Sequence, residues 1–114
     1  MHHCYDESIK ESFSESRNRE RIILDKSISL LSNARHCEQD NREIIESLSY
    51  TTRIWTVFIQ DLISENNQLP EDLKLNLISI GLWIIEECAR IRRNESNNYQ
   101  GIIDLISLIR DGLR

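Results

Sequence analysis

Three histidines, three cysteines, one adjacent pair of glutamates and two arginine groups are the residues from which this chain could build chemistry. His2 and His3, next to the terminal amine, could chelate a transition metal, but no further ligand follows nearby and a chain start explains them as well. His36 precedes Cys37 at a predicted helix end, where an imidazolium is simply favoured. No histidine has a carboxylate at triad or HExxH spacing. Cys4, Cys37 and Cys88 are odd in number, far apart and in no CxxC pattern, which points to reduced thiols rather than a disulfide frame or zinc knuckle. Glu86 and Glu87 are neighbours, so on a helix they diverge and make a poor acid–base pair. No glycine-rich phosphate loop is present. These residues predict no catalysis, no metal and no cofactor.

The arginines carry a different possibility. Arg17, Arg19 and Arg21 open the first predicted helix, and Arg90, Arg92 and Arg93 end the third. If those ends met in space they could grip an RNA backbone. Against this stand the interleaved Glu15 and Glu20, the lack of aromatics alternating with the second group, and a net charge of −5. Nucleic acid is therefore the weaker expectation.

Elements able to position any site must be helical. The chain has 114 residues, enough for one domain, with one proline and three glycines, too few turn residues for a hairpin-rich fold. No apolar run is long enough to span a bilayer, and the polar start lacks a secretory h-region, which predicts a soluble protein. Residues 1–16 lack helical periodicity and read as a flexible N-terminal tail, leaving 17–114 as the folded domain. Ile23, Leu24, Ser27, Ile28, Leu30, Leu31 and Ala34 then line one face of a first helix that stops near Cys37. A second, capped by Asp40 with Glu43 three residues on, carries Ile44, Leu48, Thr51, Trp55, Phe58 and Leu62 and ends near Ser64. A third, opened by Pro70, Glu71 and Asp72, carries Leu73, Leu77, Ile80, Ile84, Cys88 and Ile91. A last helix aligns Ile102, Ile106, Ile109 and Leu113. The expected fold is an all-α bundle of about four helices.

Two features exceed what such a bundle needs. The third helix is apolar over more than half its circumference, which calls for a central position or a partner chain, so a homodimer is one expectation. Trp83 falls outside that arc, among Asn76, Ser79, Glu87 and Arg90. On the second helix, Tyr50, Ile54 and Val57 form a separate row away from the core stripe. Either other parts of the chain cover this row, or it belongs to a groove for an amphipathic helix with Trp83 as the aromatic anchor.

The chain also resembles a known family. Leu69-Pro70 followed by Leu73, the run Leu77-Ile78-Ser79-Ile80-Gly81-Leu82-Trp83-Ile84, and the ending from Ile106 to Arg114 are similar to the flagellar biosynthesis regulator FlaF. Arg19-Glu20-Arg21 before Leu24-Asp25-Lys26-Ser27-Ile28, and Arg53-Ile54-Trp55, resemble that family's first two helices. The resemblance implies a cytoplasmic, non-enzymatic factor that binds flagellin in chaperone fashion and promotes its synthesis and export, alongside an FlbT-type regulator. Trp83 lies inside the most family-like run, so it is the first expected contact, with Asn76 and Glu87 beside it and Tyr50, Ile54 and Val57 second. The alternative is an RNA-binding regulator of flagellin message acting through Arg90, Arg92 and Arg93.

Overall fold

The computed structural model describes residues 2–37 and 41–112, with side chains from Arg17 onward. Four helices make up the fold: α1 (His2–Ala34), α2 (Arg42–Ile63), α3 (Glu71–Arg92) and α4 (Tyr99–Gly112). No strand occurs among the described residues. α1 packs against both α2 and α4, α2 packs against α3, and α3 touches α4 only lightly. The first sixteen residues, expected as a tail, lie outside the described side chains.

Each helix buries close to the stripe its periodicity announces. Leu24, Ser27, Leu31 and Ala34 are buried on α1, and Leu48, Thr51, Trp55 and Leu62 on α2, with Ile44 and Phe58 half-buried. Phe58 meets Trp55 edge-on, ring centroids 5.5 Å apart, the geometry the ring quadrupoles favour. Between α1 and α2 the buried hydroxyls of Ser27 and Thr51 lie 2.6 Å apart and satisfy one another. This pair fixes the register of the two helices, because a one-turn slip would leave both hydroxyls buried without partners. The indole Nε1 of Trp55 is the buried side-chain polar atom without a partner among the described residues.

The turns differ in detail from the sequence reading. The cap expected at Asp40 lies outside the described residues; Asn41 caps α2, its side-chain oxygen accepting from the Glu43 N–H at 2.8 Å. Glu43 therefore serves no capping box, and its carboxylate accepts instead from the Cys37 thiol at 3.2 Å. Pro70 is the N-cap of α3 rather than its first residue. α3 ends in a Schellman motif: Asn94 takes φ 61°, and Glu95 N–H reaches back to the Arg90 carbonyl at 2.8 Å. Asn98 then caps α4 by accepting from the Gly101 N–H.

α4 has 14 residues against 22 in α3, about 21 Å against about 33 Å at 1.5 Å per residue. The start of α3 consequently projects beyond α4. That explains why Leu73, expected in the core seam, is substantially exposed, while Leu77 and Ile80 are half-buried. Ile109 is half-buried at the same end, and Leu113 lies outside the described residues.

Candidate functional site

α2 and α3 approach closely at Gly81, where an added Cβ would fall 2.9 Å from Trp55 Cε3 and 3.0 Å from Ile59 Cδ1. Gly81 therefore faces α2. Two residues further along, about 200° round the helix, Trp83 faces away from α2 and is 42% exposed. Asn76, seven residues before it, and Ser79 are exposed on the same face. Glu87 is not. It is only 4% exposed, with its carboxylate accepting from Arg90 at 2.8 Å and from the Ser96 hydroxyl at 3.1 Å. The surface role expected of Glu87 is thus corrected to that of a pin holding the α3–α4 connection, because the returning chain folds over it.

The row on α2 borders α1. Lys26 Nζ sits 4.9 Å from the centre of the Tyr50 ring, and Arg53 stacks near the same ring. Tyr50 is half-buried, and burial pushes its hydroxyl pKa up. Ile54 packs against the core, while Val57 remains 55% exposed. Trp83 on the outer side of α3 and the Tyr50/Ile54/Val57 row beside α1 occupy different faces, so the structure does not join them into one groove.

The arginine groups are also separated. Glu20 and Leu24 of α1 line one notch together with Leu69, just before α3, and Leu77 of α3, which places Arg17, Arg19 and Arg21 toward that end of the bundle. Arg92 lies at the other end with Arg35 and Cys37. Arg90 is paired with Glu87, and Arg93 with Glu95 at 2.9 Å and Glu86 at 3.4 Å. These pairs hold Glu95 below the ordinary carboxylate range, through the hydrogen bond from Arg93 first. Two of the three arginines are thus held by acids, and among the described residues Arg92 has no acid partner, so the cluster presents much less positive potential than its sequence suggests.

Concavities open between the helices among the described residues. One, about 430 Å³, lies at the Cys37 end and includes Ile45, Leu48, Arg92 and Tyr99. The Cys37 thiol at this end donates to the Glu43 carboxylate, and that hydrogen bond raises its pKa, which disfavours the thiolate. A notch of about 130 Å³ at the opposite end is lined by Leu24, Trp55, Phe58, Leu62, Leu77 and Ile109. The third is a groove between α2 and α3 floored by Thr52, Ile85, Cys88 and Ala89. Sequence reasoning found none of them, since each depends on which helices are neighbours. The exposed Leu75 and Leu82 on α3 were legible only as surplus apolar surface.

Among the described residues no group of three His, Cys, Asp or Glu could hold a metal ion, and no helix is long and apolar enough to cross a membrane. His2 and His3 lie outside the described side chains. Comparison with curated proteins and with solved structures gives no match. A family model does match, from the first residue to the penultimate one, and on it the chain belongs to the family of the flagellar protein FlaF, a flagellar regulatory family, over residues 1–113.

Proposed function

We propose that this protein acts within the cytoplasm as a chaperone-like flagellin-binding factor that promotes flagellin synthesis and export, without catalysis of its own. The observation that carries the reading is Trp83: a large aromatic, 42% exposed, beside polar Asn76 and Ser79. Buried aromatic anchors dominate binding energy at interfaces, and a Trp left open in the free protein supplies such an anchor. A helical segment of flagellin laid across this face would cover it, with Val57 and the Tyr50/Ile54 row as a separate secondary contact. An FlbT-type regulator is the second partner to test. The arrangement of the arginines does not favour the RNA reading.

Fluorescence tests the proposal directly. Trp55 is already buried at 2% exposure, so a blue shift on adding flagellin reports Trp83. Trp83→Ala is expected to weaken flagellin capture at least about tenfold while the melting temperature stays nearly unchanged. Undiminished capture, or a loss of stability equal to the loss of binding, refutes the assignment.

A further inference from the structure

Ile59 of α2 lies beside Gly81 of α3, and Ser49 shares a groove with Arg92, so the two helices run antiparallel. That groove, about 370 Å³, is floored by Leu48, Thr52, Ile85 and Ala89, and neither α1 nor α4 lines it. Half-buried Ile78 and exposed Leu82 continue its α3 bank, while exposed Ile45 and Ile63 lie on the α2 row of Ser49 and Thr56. Small residues at its centre, Ser49, Thr52 and Ala89, let another backbone come close. The shape suits a helix.

Charge selects the occupant. Arg53 of α2 and Arg92 of α3 both line the groove, and no acid lines it with them. Among the described residues neither forms an ion pair; Arg53 has the Tyr50 ring 6.0 Å away. Lys74 stands eighteen residues before Arg92, five full turns, so it lies on the same row of α3, and it too has no ion pair among the described residues. The row reads base, apolar, base through Lys74, Ile78, Ile85 and Arg92. We propose that this groove docks an amphipathic helix of a second protein, apolar at three- and four-residue steps, with carboxylates at both ends of that face. Its apolar stripe covers Ile78, Leu82 and Ile85, and its carboxylates meet Lys74 at one end and Arg53 and Arg92 at the other.

Other occupants fit less well. The α3 helix of a second copy carries acids at its start, Glu71 and Asp72, but arginines at its end, so in either direction it sets base against base at one end of the groove. An RNA backbone would lie on an apolar floor that offers it no base-stacking aromatic. The groove is also independent of the face assigned above to flagellin. Trp83 is nine residues from both Lys74 and Arg92, two and a half turns, which places it on the opposite side of α3. Both faces can therefore be occupied at once.

Fluorescence anisotropy on the full chain tests the proposal with two labelled synthetic helices of about 18 residues. Both carry leucines at three- and four-residue steps; one has glutamates at the two ends of that face, the other lysines. The glutamate helix should bind at least about tenfold tighter than the lysine helix, and its advantage should shrink as salt rises. Arg53→Glu combined with Arg92→Glu should weaken the glutamate helix at least about tenfold and shift the preference to the lysine helix. The circular dichroism and melting curve should not change, because neither arginine has an ion pair to lose. Ala89→Phe, which fills the groove, should weaken binding of the glutamate helix, whereas Trp83→Ala should not. Equal binding of the two helices, or a charge-reversed variant with wild-type preference, overturns the proposal. So does a wild-type dimer in sedimentation that Arg92→Glu dissociates, which would give the groove to a second copy, or displacement of the glutamate helix by an RNA hairpin.

Discussion

Replacing Gly81 by alanine opposes two effects of known sign, and the structure decides between them. In a helix interior Ala is favoured over Gly by about 1 kcal/mol. The new methyl, however, falls 2.9 Å from Trp55 Cε3 and 3.0 and 3.1 Å from two carbons of Ile59. Ile59 can yield by a few tenths of an ångström, but the Trp55 ring is wedged between Phe58 and the core. Overpacking of this kind costs about 1–3 kcal/mol, so Gly81→Ala should be destabilising by about 1 kcal/mol net, a fall of about 4–8 °C in melting temperature for a domain of this size. Urea titration of the single variant, of Ile59→Val and of the pair forms a cycle. Ile59→Val removes the Cδ1 atom in the way, so the pair should lose less than the singles predict together. Gly112→Ala, with nothing within 4 Å of the added atom, is the control and should not destabilise. A Gly81→Ala protein as stable as wild type, or a cycle with no coupling, refutes the close approach of α2 and α3.

The remaining predictions concern side chains that the sequence made look available. Glu87→Ala should cost about 1–2 kcal/mol, since a charge-assisted bond to Arg90 and one to Ser96 are lost together; thermal denaturation checks it, and a neutral effect would return Glu87 to the surface. Cys88, whose pKa burial pushes up to about 12, stays protonated as pH rises through 8 and 9. It should resist alkylation in the folded protein over that range and react once urea unfolds it, as peptide mapping by mass spectrometry will show. Rapid labelling of native Cys88 at pH 8 would contradict its burial.

Much of the fold could be read from residue order because helical periodicity is a local signal. Leu24, Leu48, Trp55, Ile84, Cys88, Ile102 and Ile106 are buried where their stripes place them. What periodicity does not encode is which helix lies beside which. Glu87 reads as a surface acid by its position on the wheel, yet the chain from Ser96 returns over it, a tertiary event set by the left-handed Asn94. Val57 and Trp83 both read as stray hydrophobes and both are exposed; only the packing of Gly81 on Trp55 and of Lys26 on Tyr50 reveals that they belong to opposite flanks. The arginines likewise look like one reservoir of positive charge until their glutamate neighbours are seen to neutralise two of them.

The light contact between α3 and α4 has a consequence for how the chain comes together. α1 supplies most of the packing for the last helix, and Arg110 reaches Asp25 across 85 positions at 2.9 Å. During synthesis the hairpin of α2 and α3 can therefore form early from neighbouring sequence, while one side of α1 waits for α4 to emerge. Late closure exposes Leu24, Leu31 and their neighbours for the longest time, and fraying of α4 would expose them again first.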